Sequence, residues 1–298
     1  MDFGGIYPAL TTPFNAEGEV DLGALRHNVA RYNQTSVTGY VALGSTGESV
    51  MLSSAEGESI LAAVREAAGP GRKLLAGAGA ESTAETIRKT KKAADLGYHA
   101  ALVKTPYYYK PFYKPETLLA HFRKVADSSP IPVLLYSIPQ FTGVTLETRE
   151  ILALAEHPNI VGIKDSSGDV RRLGEVIAGA NSRFQVMTGS APVVFPALMI
   201  GARGAILALA AAVPEACAAL YGLYREKRFE EARELQARIV LASKRIVSEG
   251  GVPGVKYVMD LRGYRGGMPR LPLQAPSEEA KHSMAEALAT LEPAVARA

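Results

Sequence analysis

The chain has 298 residues, 47% of them hydrophobic and 21% charged, in the range of an ordinary globular protein. Its net charge of +3 comes from 33 basic residues interspersed with 30 acidic ones, so no basic stripe points to a nucleic-acid partner. No apolar window approaches the length that a membrane span requires, which excludes a helical membrane protein.

From the N-terminus, Met1-Asp2-Phe3-Gly4-Gly5 offers no basic region leading into an apolar stretch, and a soluble, cytoplasmic protein is expected. Short apolar runs then alternate with helix-like segments without a linker. The runs predict strands near Ile6–Leu10, Gly39–Leu43, Lys73–Gly77, Ala100–Val103, Val133–Tyr136, Ile160–Lys164, Phe184–Thr188 and Gly204–Leu207. Helix starts are signalled by Asp21 before Leu22, by possible capping boxes at Ser53–Glu56 and Ser82–Glu85, and by Pro115-Glu116. Eight strands in βα alternation predict an α/β fold, a closed parallel (β/α)8 TIM barrel over about residues 1–225. Helical periodicity in Glu215–Lys227, Phe229–Ser248 and Ser277–Leu291 adds a C-terminal helical extension over about 226–298, the whole forming a single domain. The lone cysteine, Cys217, sits in an alanine-rich stretch and reads as a buried helix-face thiol. His27, His99, His121, His157 and His282 never stand at metal-ligand spacing, so neither a metal nor another cofactor is expected.

In a parallel barrel the reacting side chains stand at the C-terminal ends of the strands. After the second run, Gly44-Ser45-Thr46-Gly47-Glu48-Ser49 frees the backbone at its glycines while two hydroxyls and successive N–H groups converge, a concavity suited to a carboxylate; the same turn also reads as a helix cap. After the fourth, Tyr107-Tyr108-Tyr109 is bounded by prolines, either packed or projecting a phenol into a neighbouring site. At the end of the fifth, Tyr136 shares the inward face of Leu134 by the period of two. The sixth ends in Lys164, on the face of Gly162, and passes at once into Asp165-Ser166-Ser167-Gly168. A lysine there is desolvated below and open above. Either it snorkels to solvent or its neutral amine attacks a carbonyl to form a Schiff base. Lys164 and Tyr136 on adjacent strand ends favour the second, as amine nucleophile and proton shuttle. Gly189-Ser190 and the backbone of Ile206 complete the pocket.

These residues, in this order, resemble the dihydrodipicolinate synthase and N-acetylneuraminate lyase superfamily of pyruvate-dependent class I aldolases. The resemblance is carried by Gly5–Phe14, Gly44–Glu48, Thr105-Pro106-Tyr107-Tyr108, Tyr136-x-x-Pro139, Gly162-Ile163-Lys164-Asp165 and Gly189-Ser190. It implies that Lys164 forms the Schiff base, that Tyr136 moves protons, and that Ser45 and Thr46 hold the α-carboxylate. It further implies that Ile206 contributes its carbonyl and that Tyr108 reaches a neighbouring subunit's site, where Thr46 links it to Tyr136. The assembly implied is a homotetramer, a dimer of dimers, and the partners are pyruvate and an aldehyde. Synthases of the family usually carry an arginine two residues after the proline, where it clamps the carboxylate of aspartate semialdehyde; Phe141 stands there in this chain. The stretches His157–Val170 and Gly250–Lys256 are instead similar to 4-hydroxy-2-oxoglutarate aldolase, in which the counterpart of Ser166 belongs to the site. Thr46 stands where the animal aldolase has asparagine. The expected reaction is cleavage of 4-hydroxy-2-oxoglutarate to pyruvate and glyoxylate. The alternatives are dihydrodipicolinate synthesis, cleavage of a keto-deoxy sugar acid, a metal-dependent aldolase and a non-catalytic keto-acid-binding barrel.

Overall fold

The eight apolar runs form eight parallel strands in a computed structural model that describes residues 1–291; residues 292–298, the end of the expected extension, lie outside the described residues. The strands are β1 (Gly5–Pro8), β2 (Gly39–Ala42), β3 (Lys73–Gly77), β4 (Ala100–Lys104), β5 (Val133–Ser137), β6 (Ile160–Asp165), β7 (Gln185–Thr188) and β8 (Gly204–Leu207). Pairing runs β1-β8-β7-β6-β5-β4-β3-β2. The remaining seam closes through Thr38 N–H to Ile6 O at 2.8 Å and Leu10 N–H to Val41 O at 2.9 Å. The (β/α)8 barrel predicted from the alternation is therefore present. The expected first strand, Ile6–Leu10, is shifted, because at Ala9 and Leu10 the chain hands over from β8 to β2: Ala9 N–H still bonds Leu207 O, whereas Leu10 already bonds Val41.

The start signals act as read, with one exception. Asp21 accepts from Ala24 N–H, and Ser53 and Glu56 form a reciprocal capping box. Ser82 caps Glu85 N–H, but the Glu85 carboxylate is taken by Arg88 at 2.8 Å, so the second capping box is half formed.

Tyr7, Val41, Leu75, Leu102, Leu134, Met187 and Ile206 fill the barrel interior. Two larger apolar clusters lie between strands and helices. One takes in Leu235, Ile239, Ile246, Val258 and Met259 beside Ile6, Leu25, Tyr40 and Leu207, so the C-terminal helices share the core of the β8–β1–β2 side. The helix expected to run to Ser248 is α-helical to Ser243 and passes through a π-helical segment, Lys244–Glu249, into a further helix, Gly251–Leu261. That helix was not foreseen, because Gly250-Gly251-Val252-Pro253-Gly254 reads as a turn. Its glycines serve close packing instead: a Cβ on Gly254 would lie 2.6 Å from Ile246 O and 3.0 Å from Met284 Cε. Cys217 is buried on the helix Pro214–Arg225, as its surroundings implied. The histidines are scattered on separate partners, among them His121 on Thr83 and His157 on Asp127. Among the described residues no helix is long and apolar enough to cross a membrane.

One buried ion pair pins the outer face of β6. Asp165, the last residue of β6, accepts from Arg172 Nε at 2.9 Å, and both side chains are nearly solvent-free. Arg172 sits on the helix Val170–Gly179 and also donates to Leu146 O, while Ser167 N–H satisfies the other Asp165 oxygen at 2.8 Å. Removing one partner of such a pair strands the other in a dry site. Arg172→Met should therefore lose roughly 3–5 kcal/mol in urea unfolding, and adding Asp165→Asn should recover much of it. An unchanged urea midpoint in Arg172→Met would show that solvent relieves Asp165.

Candidate active site

Parallel pairing places Lys104, Tyr136, Lys164 and Met187 at one level across β4 to β7. Paired residues share a face, and Leu102, Leu134 and Gly162 two residues earlier line the interior, so Tyr136 and Lys164 both project into the mouth of the barrel. Lys164 is 5% and Tyr136 3% exposed. The Lys164 amine lies 4.2 Å from the centroid of the Tyr136 ring, and the Tyr136 hydroxyl is 3.3 Å from Ser45 Oγ. The sequence-predicted pair is thus brought together and joined to the turn after β2. Within this chain the Tyr136 hydroxyl meets Ser45, and Thr46, expected as the link to Tyr108, is buried beside it in sequence.

The turn takes its shape from internal bonds, Gly47 N–H to Gly44 O and Glu48 N–H to Ser45 O, both 3.1 Å. Those bonds leave the successive N–H groups of Ser45 and Thr46 uncommitted among the described residues, which is what a carboxylate cradle needs. Leu43 enters the turn at φ +57° and Glu48 leaves it at φ +54°, a left-handed conformation that costs a non-glycine residue free energy. Room for the Leu43 carbonyl exists only because residue 77 on β3 is glycine: any Cβ there would collide with it.

On the far side of Lys164 stands Gly189, after β7. A Cβ at this position would collide with Ser166 Oγ and lie 2.8 Å from Lys164 Cε. Gly189 and Ser166, both singled out in the sequence, therefore flank the lysine. The Ser166 carbonyl accepts from Gln140 Nε2 at 3.0 Å. Ile206 is fully buried in the same interior cluster as Tyr136. Phe141 is 68% exposed, its ring turned to solvent. Tyr108 is 73% exposed and packs edge-on against Tyr109, outside this chain's own pocket.

Two residues without a role in the sequence reading shape the same end of the barrel. Lys104 donates to Gly79 O at 2.9 Å and lies 5.1 Å from the Tyr107 ring; desolvation pushes its pKa down, partly offset by Glu81. Glu81 accepts the backbone N–H groups of Tyr107 and Tyr108, at 3.1 and 2.8 Å, and so ties the tyrosine loop to the end of β3. Only its position after a strand end could have marked Glu81. An amine against a phenol, a hydroxyl continuing from that phenol, and a pair of open N–H groups are the kinds of group that can serve as nucleophile, proton path and anion cradle.

A profile of the Dihydrodipicolinate synthetase family matches residues 2–291. A 4-hydroxy-tetrahydrodipicolinate synthase of Exiguobacterium sp. is 35% identical over 286 residues, 96% of this chain and 97% of that protein. A probable mitochondrial 4-hydroxy-2-oxoglutarate aldolase of Emericella nidulans is 38% identical over 289 residues, 95% of this chain and 93% of that protein. Among solved structures, the dihydrodipicolinate synthase of Acinetobacter baumannii complexed with pyruvate superposes with a TM-score of 0.92 at 33% identity, covering 97% of this chain and 99% of that one.

Gly189→Ala should fold, because the neighbours that a Cβ meets are side-chain atoms at the open end of the barrel. It should still lose at least about 10²-fold in turnover, since a displacement of about 1 Å at a reacting group costs that much. Wild-type kcat in Gly189→Ala would show that the lysine tolerates the shift. Glu81→Ala should release the tyrosine loop, seen as faster amide hydrogen exchange at Tyr107 and Tyr108; unchanged exchange would mean that other contacts hold it.

Proposed function

Because the chain belongs to the dihydrodipicolinate synthetase family, and is thus a lyase-type enzyme of the class I aldolase kind, we propose that Lys164 is its Schiff-base residue and 4-hydroxy-2-oxoglutarate its substrate, cleaved to pyruvate and glyoxylate. The observation that carries the proposal is the contact of the Lys164 amine with the Tyr136 ring, whose hydroxyl continues to Ser45. The Lys164 amine adds to the keto carbon and passes one of its protons to the new alkoxide; Tyr136 protonates the resulting hydroxyl, so that water leaves and an iminium remains. Tyr136 then takes the proton of the C4 hydroxyl. The C3–C4 bond breaks with its electrons passing into the iminium, and glyoxylate leaves. The remaining enamine takes that proton from Tyr136 at C3, and water hydrolyses the resulting iminium to pyruvate and free Lys164. The Ser45 and Thr46 N–H groups and hydroxyls hold the α-carboxylate throughout, and Ser166, beside Lys164, meets the second carboxylate.

Substrate choice rests on Phe141. With no arginine at that position, the longer carboxylate of aspartate semialdehyde has no bidentate partner there, whereas glyoxylate is short enough to be met by hydroxyls near the lysine. The Exiguobacterium relative supports the second reading, condensation of pyruvate with aspartate semialdehyde. The outward Tyr108 suits a tyrosine offered to a second subunit's site, so the assembly proposed is the homotetramer. Tyr108→Phe then lowers turnover; full activity in a monomer would refute the shared site.

Borohydride added with pyruvate should fix a reduced adduct on the peptide containing Lys164, with no adduct in Lys164→Ala and no loss of activity on chelation. Tyr136→Phe should lose about 10²-fold or more in kcat. The kcat/KM for 4-hydroxy-2-oxoglutarate should exceed that for aspartate semialdehyde condensation by on the order of 10². The reverse preference would assign the chain to the synthase activity while leaving the Schiff-base chemistry intact.

A further inference from the structure

The C-terminal helices reach the mouth of the barrel through charge as well as through apolar packing. Lys256, on the helix Gly251–Leu261, places Nζ 2.5 Å from Oε1 of Glu48, the residue that ends the carboxylate-cradling turn, and each side chain is 1% exposed. The same ammonium donates to Met268 O at 2.8 Å and lies 4.6 Å from the centroid of the Phe14 ring. The other Glu48 oxygen accepts Arg270 N–H at 2.9 Å. The Arg270 guanidinium stands 4.3 Å from the Phe14 ring centroid, donates to Gly18 O at 2.7 Å and Met51 O at 2.9 Å, and pairs with Glu56 at 2.5 Å. Glu48 is therefore gripped through both oxygens by a segment more than two hundred residues away in sequence, at the left-handed residue by which the chain leaves the turn.

A buried lysine–glutamate pair is a poor way to stabilise packing, because desolvation opposes it and apolar residues of like volume do as well or better. A left-handed non-glycine residue, in turn, persists only where its surroundings over-determine it. Both oddities meet at Glu48, three residues from Ser45 and two from Thr46. We propose that Lys256, with Arg270 behind it, is a positioning residue for the reaction: by fixing Glu48 it holds the turn in the conformation that aims the Ser45 and Thr46 N–H groups at the carboxylate of a 2-keto acid. This rests on the reading of the site given above. Lys256 is in contact with neither Lys164 nor Tyr136 among the described residues, so its effect falls chiefly on carboxylate binding.

The test compares pyruvate with methyl pyruvate, which has the same keto carbon and no carboxylate charge, in borohydride trapping on the wild type, Lys256→Met, Lys256→Arg and Arg270→Met. In Lys256→Met the half-saturating pyruvate concentration should rise roughly tenfold, the scale of a misaligned hydrogen bond to a charged group. The value for methyl pyruvate should rise much less than that for pyruvate, and Lys256→Arg should recover part of the loss. Arg270→Met, at a more exposed position, should shift pyruvate alone in the same direction and carries the test if Lys256→Met fails to fold. Equal shifts for both compounds, or no shift in either variant, would overturn the inference while leaving the Schiff base in place. Failure of wild-type protein to form an adduct at Lys164 would overturn the reading of the site itself, and the inference with it.

Discussion

The lateral pairing of β5 with β6 is the constraint on which the site depends. Tyr136 and Lys164 are register partners, so hydrogen bonds between two buried strands, and no loop or side-chain network, set the separation of phenol and amine. Reactive groups at the ends of paired strands inherit the rigidity of the barrel wall, which suits chemistry requiring an amine, a phenol and a bound carbon within fractions of an ångström. The glycines follow from the same demand: Gly189 yields the volume that the lysine and Ser166 occupy, and Gly77 yields the volume that the turn after β2 occupies.

Around this rigid pair the remaining parts are loops, each held by a buried or bidentate anchor. The turn after β2 is gripped at Glu48 and the tyrosine loop after β4 at Glu81, while the strand end carrying Lys164 is braced by Arg172. In each case a carboxylate receives backbone N–H groups or a cation, which gives direction as well as attraction. The apolar clusters hold the barrel together, and these polar anchors decide where its loops point.

The architecture was legible because strand and helix signals alternate without interruption, and because a closed parallel barrel is the simplest way to pair eight such strands. Lys164 and Tyr136 were legible for a local reason: each ends an apolar run, and the period of two fixes which way it faces. The turn Gly44–Glu48 could be read as a carboxylate site, but not the choice of Ser45 over Thr46 as the hydroxyl that meets Tyr136. The turn is bounded by left-handed backbone at Leu43 and Glu48, a conformation that neither residue type announces. The helix Gly251–Leu261 stayed hidden because Gly254 answers to close packing against Ile246 O and Met284, which no residue type announces. The grip of Lys256 on Glu48 was hidden for the same reason at longer range.

The two charges at the end of β6 face opposite ways. Lys164 turns into the barrel against an aromatic ring, while Asp165 turns outward into an ion pair with Arg172. Strand alternation thus acts as a partition: an acid and an amine adjacent in sequence are kept on opposite sides of a wall of backbone, where neither neutralises the other. A deletion of one residue from Ile160 to Ile163 would exchange them, turning a carboxylate into the barrel mouth and the amine outward beside an arginine. Such a chain would differ by one residue and still have its polarity inverted at the mouth of the barrel, so strand length here is a chemical specification as much as an architectural one.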